Sequence, residues 1–330
     1  MNQRHLPVTV LVPGRLHERA LARVDATFDM VRIDQVQPEL MTPEMKRDVR
    51  GVAAMGFLQP IGPAFIDALP NLEIIASFGV GYDAIDAGYA GSKGVMVTNT
   101  PDVLTEEVAD TALGLLLNTV RELPRAEAYL RAGRWENEGN YPLTPMTLRG
   151  RRAGIFGMGR IGMAIAKRLE AFGLSIAYHN RRSVEGLAYT YYPSLEELAG
   201  AVDTLISVVP GGAATEKVVN ANIFKALGPD GVFINIGRGS TVDEEALIAA
   251  LRDGTIRAAG LDVFANEPHV PQALIDLPNA VLLPHVASAS VHTRNAMADL
   301  VVDNLISWFS NGEVLTPVAE TAHVTAKAVK

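Results

Sequence analysis

The sequence predicts an α/β protein of two lobes, each built on a doubly wound parallel sheet covered by helices. Short apolar strand patterns alternate with helical patterns along most of the chain, which is typical of parallel sheets. With 330 residues, the chain exceeds the size that one hydrophobic core usually serves, so two domains are expected. Near the middle, residues 153–162 read AGIFGMGRIG, an apolar strand pattern that runs into a glycine turn and then into a helix.

The first lobe is predicted over residues 1–98. Strand patterns lie at 8–12, 30–33, 52–55, 72–77 and 95–98, and helical patterns at 21–28 and 64–69. This alternation indicates a parallel sheet covered on both faces. No glycine motif opens this lobe.

The pattern changes at residue 105. Thr105 and the two glutamates after it are typical of a helix N-terminus, with a hydroxyl cap and acids that suit the helix dipole. The pattern at 108–117 is apolar on most faces, so we expect burial between lobes or at a subunit contact. A more polar segment at 121–133 extends this helix, and a loop at 135–145 leads to the glycine stretch.

The second lobe resumes the alternation after the glycine stretch. Strand patterns lie at 174–179, 204–209, 232–236, 258–263 and 281–283, and helical patterns at 163–172, 195–199, 223–227 and 244–251. With the glycine strand, this predicts a sheet of about six strands. The last helical pattern, 293–309, is expected to return to the first lobe.

The glycines at 157, 159 and 162 fit the G-x-G-x-x-G spacing of a dinucleotide-binding turn. The first would permit a tight turn, the second would let backbone approach a pyrophosphate, and the third would let helix and strand pack closely. An ordinary tight turn is the alternative. The strand before the motif and the amphipathic helix after it favour nucleotide binding at the helix N-terminus.

Three residues with charged or titratable side chains follow predicted strands of the second lobe: Arg238, Glu267 and His285. Because ligands of doubly wound sheets lie beyond the carboxyl ends of the strands, all three are expected at the edge that carries the glycine turn. An arginine can hold a carboxylate, a histidine can supply a proton, and an acid can favour the protonated histidine. The alternatives are a solvated loop arginine, a structural histidine and a turn acid before Pro268.

The composition limits the classes of function. With 29 Lys and Arg against 37 Asp and Glu, the formal net charge is −8, which argues against a nucleic acid or a membrane surface as the main partner. The absence of cysteine excludes disulfides, thiolate catalysis and cysteine-ligated metal, and no metal site is predicted. Without a signal-peptide pattern or a long apolar run, a cytoplasmic location is expected.

Several sequence motifs, spread over nearly the whole chain, resemble those of one family and occur in the same order. They are residues 79–83 (GVGYD), 99–105 (NTPDVLT), 154–162, 235–239 (NIGRG), 259–264 (AGLDVF) with Glu267-Pro268, and 283–285 (LPH). The sequence resembles the D-isomer-specific 2-hydroxyacid dehydrogenases, and among them the glyoxylate/hydroxypyruvate reductases. The resemblance implies a discontinuous, flavodoxin-like substrate-binding domain at 1–98 and 288–330. It implies a dinucleotide-binding Rossmann domain at 99–287, with the active site in the cleft between the two.

The resemblance also implies roles for single residues. Arg238 matches the arginine that grips the carboxylate and carbonyl of a 2-keto acid. His285 matches the acid/base that protonates the carbonyl oxygen, and Glu267 matches the carboxylate paired with it. Val80 and Gly81 match a loop whose backbone amides receive the substrate carboxylate. Hydride would pass from the nicotinamide to the keto carbon.

The end of the strand at 174–179 bears on the choice of cofactor. NAD-binding turns usually place an acid about twenty residues past the glycines, but here Asn180, Arg181 and Arg182 follow. Guanidinium groups pair with a 2′-phosphate, which favours NADP over NAD, with NAD as the weaker alternative. Solvated turn arginines are the other interpretation. The expected cofactor-binding set is Thr105, Gly157, Met158, Gly159, Arg160, Ile161, Gly162, Asn180, Arg181, Arg182, Pro210, Thr215, Ile236, Gly237 and Asp262, the last by its resemblance to an acid near the nicotinamide carboxamide.

The predicted substrate is a small 2-keto acid. Met55, Leu58 and Trp135 are expected near the substrate, and the resemblance favours glyoxylate and hydroxypyruvate. In such reductases a residue at the place of Trp135 reaches across a dimer, so a homodimer is expected, although an ordinary interface tryptophan fits as well. The other hypotheses are another small D-2-hydroxy acid as substrate, a cofactor-sensing protein like the corepressors built on this fold, and an oligomer with a vestigial site.

Overall fold

The computed structural model of the protein describes residues 5–56 and 60–326. The strands are β1 Leu6–Pro13, β2 Phe28–Ile33, β3 Val49–Met55, β4 Ile74–Phe78, β5 Met96–Thr98, β6 Arg152–Phe156, β7 Ser175–His179, β8 Thr190–Tyr191, β9 Thr204–Ser207, β10 Val232–Asn235, β11 Ala258–Leu261 and β12 Ala280–Leu282. The helices are α1 Glu18–Thr27, α2 Pro43–Asp48, α3 Pro63–Asp67, α4 Ala87–Ser92, α5 Thr105–Arg121, α6 Leu123–Arg131, α7 Arg134–Glu138, α8 Arg160–Ala171, α9 Leu195–Ala201, α10 Ala221–Leu227, α11 Glu244–Arg252, α12 Gln272–Ile275 and α13 Val291–Asn311. The chain divides into two compact units, Met1–Leu104 with Ser290–Lys330, and Thr105–Ala289.

The first unit is built on a parallel sheet with the strand order β2-β1-β3-β4-β5. This is the strand order of flavodoxin-like sheets. Every residue of β4 is buried, as expected for a strand covered on both faces. Helix α13 packs in this unit beside α1, where Arg23 forms ion pairs of 2.9 Å with Asp299 and 2.7 Å with Asp303.

The second unit is built on a parallel sheet with the order β12-β11-β10-β9-β6-β7-β8. Its core joins residues from strands and helices on one face, including Phe156, Leu205, Phe233 and Leu247. The predicted fold class of two parallel-sheet α/β units is confirmed. The sequence analysis missed β8, because two residues are too short to give a periodic pattern.

The segment before the glycine stretch differs from the prediction in three respects. Helix α5 starts at Thr105 itself and ends at Arg121, because Glu122 takes a left-handed conformation with φ of 52° and separates α5 from α6. The predicted loop after 135 contains the short helix α7. The apolar face of α5 is covered inside its own unit, since Leu115 lies against Gly260 of β11. Part of the apolar pattern at 108–117 therefore packs within this unit, and burial of the rest between lobes or subunits stays a prediction.

Candidate active site

The sheet of the second unit reverses its order beside β6, and the candidate residues lie at that end of the strands. β7 and β8 extend from one side of β6, and β9 to β12 extend from the other. Ligands of doubly wound sheets bind beyond the carboxyl ends of the strands at such a switch point. The glycine turn follows β6. Because the strands are parallel, the segments after β7, β9, β10, β11 and β12 begin at the same carboxyl edge of the sheet.

The glycine turn has the geometry of a phosphate cradle. Gly157 has φ of 104°, a conformation that favours glycine. A Cβ on Gly162 would lie 2.3 Å from the Gly157 carbonyl oxygen, so α8 packs directly on the turn. At Gly159, by contrast, a Cβ would meet no heavy atom within 4 Å, so this side of the turn is open at the N-terminus of α8. These residues therefore fit a dinucleotide, whose pyrophosphate would occupy the space that a side chain at 159 would fill.

Asn180 ties the glycine turn to the end of β7. Its Oδ1 accepts a hydrogen bond of 2.7 Å from the Met158 amide, and its Nδ2 lies 3.4 Å from the Met158 carbonyl oxygen. The side chain is neutral, so no carboxylate stands where a ribose-binding acid is usual. Arg181 and Arg182 follow and are exposed, which leaves two guanidinium groups beside this turn.

The segments after β9 and β10 carry other predicted cofactor residues. The Thr215 hydroxyl donates to the Pro210 carbonyl oxygen at 2.7 Å, which closes the segment after β9. Ile236 and Gly237 are buried, and a Cβ on Gly237 would lie 2.6 Å from the Val209 carbonyl oxygen. The two segments are therefore packed against each other at the sheet edge.

Arg238 is half-buried and directly follows these residues. Its Nη1 donates to the Gly237 carbonyl oxygen at 2.8 Å, and its own carbonyl oxygen accepts from the Asn235 side chain at 3.0 Å. A Cβ on the next residue, Gly239, would overlap the Phe264 backbone. This close approach brings the segment of Arg238 against the segment that carries Glu267.

Glu267 and His285 form a hydrogen-bonded pair. The distance from His285 Nδ1 to Glu267 Oε2 is 2.7 Å, and Oε1 accepts from the Phe264 amide at 3.0 Å. Both side chains are about one-third exposed, at 31% for His285 and 33% for Glu267. Burial opposes ionisation of Glu267, but the bonds from His285 and Phe264 and the charge of Arg238 hold its pKa below the ordinary value.

Asp262 directly follows β11 and is fully buried. Its Oδ1 accepts from the Val286 amide at 2.7 Å, and its Oδ2 accepts from the Ala287 amide at 3.0 Å. Burial raises the pKa of Asp262, and these two hydrogen bonds counteract part of the rise. The carboxylate is thus engaged by the backbone just after His285.

Comparison with known proteins gives the family. Residues 113–287, more than half of the chain, match the model described as D-isomer specific 2-hydroxyacid dehydrogenase, NAD binding domain. The chain belongs to the D-isomer-specific 2-hydroxyacid dehydrogenase family. This confirms the family that the sequence motifs predict, and the matched residues fall in the unit that carries the glycine turn.

Three known proteins are similar to this dehydrogenase over most of its length. A glyoxylate/hydroxypyruvate reductase A of Arabidopsis thaliana is 52% identical over 253 residues, 77% of this chain and 80% of the relative. A hydroxyphenylpyruvate reductase of Plectranthus scutellarioides is 51% identical over 253 residues, with the same two shares of 77% and 80%. The crystal structure of an NADPH-dependent glyoxylate/hydroxypyruvate reductase from Sinorhizobium meliloti, in complex with NADP and malonate, is 59% identical. It has a TM-score of 0.94 and covers 98% of this chain and 100% of that one.

Four further residues of the dehydrogenase are predicted to contact the substrate: Leu58, Val80, Gly81 and Trp135. Val80 and Gly81 belong to the first unit, where the Asn99 side chain donates to the Val80 carbonyl oxygen at 2.8 Å. Leu58 lies outside the described residues. Trp135, in α7, is 59% exposed and donates from Nε1 to Asn140 at 3.2 Å. The substrate roles of these four residues stay predictions.

Sequence reasoning missed the side chains that fasten the site backbone. Asn235 Oδ1 accepts from the Gly237 amide at 3.1 Å, and the amide group of this side chain also bonds to Arg238, so one asparagine shapes the turn that carries the arginine. In the first unit, the Asn99 side chain donates to the Val80 carbonyl oxygen. Both are asparagines at or just after the end of a strand, a position where a polar residue could have been singled out.

No group of three or more His, Asp or Glu side chains placed to hold a metal ion occurs in 5–56 and 60–326. No helix in this described part of the chain is both long and apolar enough to cross a membrane.

Proposed function

We propose that this dehydrogenase reduces small 2-keto acids, glyoxylate and hydroxypyruvate first among them, to 2-hydroxy acids with NADPH. The observation that carries the proposal is the His285–Glu267 pair, 2.7 Å apart, on the strand edge that also carries the glycine turn and Arg238. The Sinorhizobium meliloti enzyme described as NADPH-dependent supports the choice of cofactor and substrate class, since the two chains align almost end to end.

In the proposed reaction, Arg238 binds the carboxylate of the keto acid and stabilises the charge that develops on the carbonyl oxygen. His285 gives a proton to that oxygen. Because Nδ1 is engaged by Glu267, Nε2 is the ring nitrogen assigned to this transfer. The nicotinamide, when bound, supplies the hydride. Glu267 fixes the orientation of the imidazole through its contact with Nδ1.

The residues of the second unit support NADP. Gly157, Gly159 and Gly162 would hold the pyrophosphate at the start of α8, and the neutral Asn180 with Arg181 and Arg182 would accept a 2′-phosphate. An acid at 180 would repel that phosphate. NAD is therefore the weaker cofactor in this proposal.

We infer a homodimer from one surface of the second unit. Four large apolar residues on this surface are exposed: Leu123 (45%), Leu130 (53%), Trp135 (59%) and Leu143 (98%). They come from α6, α7 and the segment after α7, and two of them, Leu130 and Trp135, line a cavity of about 320 Å³. Grouped exposed apolar side chains are typical of protein contacts, and a second copy of the chain is the partner proposed.

The test of the proposed activity is initial-rate measurement with purified protein. NADPH and NADH oxidation are followed with glyoxylate, hydroxypyruvate, hydroxyphenylpyruvate and pyruvate in parallel. The proposal expects the highest kcat/KM for NADPH with glyoxylate or hydroxypyruvate. Higher kcat/KM with hydroxyphenylpyruvate would move the substrate to a larger keto acid. Tight cofactor binding without turnover of any keto acid would overturn the proposal in favour of a cofactor-sensing protein.

A further inference from the structure

His285 has an unusual backbone. Its φ is 52°, in the left-handed region that residues other than glycine seldom adopt. Such a conformation persists only where the surrounding structure imposes it. The direction of the Cα–Cβ bond, and with it the position of the imidazole, depends on this backbone angle. Something in the second unit must therefore hold residue 285 in place.

Asp262 provides acceptors on both sides of that backbone. Its carbonyl oxygen accepts from the His285 amide at 2.9 Å. Its two carboxylate oxygens accept from the amides of Val286 at 2.7 Å and Ala287 at 3.0 Å. Three successive N–H groups, beginning at His285, thus converge on one residue. Asp262 is itself tied to the sheet, because its amide donates to the Asn235 carbonyl oxygen at 3.0 Å.

We propose that Asp262 is a positioning residue that holds His285 in its left-handed conformation and so keeps the imidazole against Glu267. The proposal rests on the proposed function, in which His285 is the proton donor. It differs from a contact with the nicotinamide carboxamide, which the family resemblance implies for Asp262, because it acts through His285 and requires no cofactor.

The chemistry of the side chain explains why a carboxyl group with two oxygen atoms suits this position. A carboxylate presents two acceptors and no donor, which matches two adjacent amides. An asparagine would offer one acceptor and would turn an NH₂ group toward the other amide. That amide would then be buried without a partner, and the backbone after His285 would move to satisfy it. The imidazole would be displaced from Glu267 as a result.

The experiment compares Asp262→Asn and Asp262→Ser with Thr111→Val. Thr111 donates its hydroxyl to the Ala287 carbonyl oxygen at 3.2 Å, so the control removes a bond to the same segment without touching the amides that follow His285. Three quantities are measured: kcat with saturating NADPH, the NADPH dissociation constant by fluorescence, and the downfield proton NMR signal of the His285 Nδ1–H bonded to Glu267.

The proposal expects both Asp262 variants to lose at least about tenfold in kcat, because displacement of a catalytic group by one ångström is that costly. It expects the NADPH dissociation constant to change by less than about threefold and the Nδ1–H signal to shift or vanish. Thr111→Val should retain the signal and most of the rate.

Other outcomes overturn the inference. An unchanged kcat with the signal in place would show that His285 does not need Asp262. A loss confined to the NADPH dissociation constant would assign Asp262 to the cofactor. If both Asp262 variants fail to bind NADPH and their second unit is also unfolded, Asp262 would be required for general stability and not for positioning His285. Failure of the proposed function is read separately, from a wild-type protein that turns over no keto acid or a His285→Ala variant that keeps its rate.

Discussion

The Nδ1 atom of His285 lies 2.7 Å from Oε2 of Glu267, and the other carboxylate oxygen of Glu267 accepts from the Phe264 amide. The carboxylate is therefore held from two sides. Although burial opposes its ionisation, these bonds keep its pKa below the ordinary value, so Glu267 stays ionised into the acid range. Because this ionised carboxylate accepts at Nδ1, it fixes the imidazole and leaves Nε2 as the ring nitrogen assigned to proton transfer.

Glu267→Gln should lower the rate of reduction and change its pH dependence. The variant keeps a side chain of similar size but replaces the carboxylate that accepts from Nδ1. At neutral pH, kcat/KM should fall by about 10²-fold, the lower end of the range for general acid catalysis. In the wild type, kcat/KM should also fall at acid pH, because Glu267 becomes protonated as the pH drops through its lowered pKa, and the variant should lack this acid limb. Rates from neutral to acid pH, with NADPH saturating, measure the profile.

The matched control for this profile is Glu244→Gln. Glu244 accepts from the Ala265 amide at 2.7 Å, so it supports the same segment as Glu267 without contacting His285. Its profile should coincide with that of the wild type. A Glu267→Gln protein with the wild-type rate and the wild-type acid limb would contradict the role assigned to the pair.

His285→Ala and Arg238→Ala should nearly abolish turnover while cofactor binding persists. Loss of the proton donor, or of the group that holds the substrate, should lower kcat/KM by about 10²- to 10⁴-fold. The NADPH dissociation constant, measured by fluorescence, should stay close to that of the wild type. The controls are His269→Ala and Arg252→Ala, which alter exposed residues of the same unit. Near-native kcat/KM in either test variant would refute its role.

The sequence was sufficient for the fold class and the strand ends but not for side-chain pairing. Apolar periodicity and the glycines place Glu267 and His285 after neighbouring strands. Their contact depends on two features that no local pattern encodes: the close approach of Gly239 to the Phe264 backbone, and the left-handed conformation of His285. The break at Glu122 was likewise missed, because a residue with ordinary helix propensity adopts a positive φ there. Tertiary packing decides such features.

Replacement of Arg181 and Arg182 by alanine should weaken the binding of NADPH far more than the binding of NADH. Each guanidinium that pairs with the 2′-phosphate contributes a charge-assisted hydrogen bond, so the NADPH dissociation constant should rise by about tenfold or more. NADH lacks that phosphate and should be affected little. Titration of both cofactors by fluorescence measures the difference. Equal losses for the two cofactors would contradict the assignment.

Asn180→Asp tests the same assignment from the opposite side. In the wild type, Asn180 Oδ1 accepts from the Met158 amide at 2.7 Å. An aspartate oxygen can accept the same hydrogen bond, so the turn should persist. The new negative charge would repel a 2′-phosphate and could bind the ribose hydroxyls of NAD. The ratio of kcat/KM values for NADPH and NADH should therefore move toward NADH. An unchanged ratio would mean that the 2′-phosphate does not lie near residue 180.

Gly159→Ala and Gly162→Ala should separate cofactor binding from stability. A Cβ at 162 would lie 2.3 Å from the Gly157 carbonyl oxygen, whereas one at 159 would meet nothing within 4 Å. Gly162→Ala should therefore lower the free energy of unfolding by about 1–3 kcal/mol, as overpacking does. Gly159→Ala should keep the wild-type melting temperature but bind NADPH more weakly, because its methyl group occupies the phosphate space. Thermal melting without cofactor and NADPH titration distinguish the two, and a Gly159→Ala protein with full NADPH affinity would refute the cradle.

Leu130→Glu should dissociate the proposed homodimer. Leu130 is 53% exposed and lines the cavity near Trp135, so a charge there would be buried without a partner at a contact between two copies. Light scattering after size exclusion should give the wild type twice the chain mass of 35.3 kDa, and the variant a single chain mass. Ile275→Glu, which alters a side chain 50% exposed on α12, should remain dimeric. A monomeric wild type would remove the proposed contact, and a dimeric Leu130→Glu protein would place the interface on another surface.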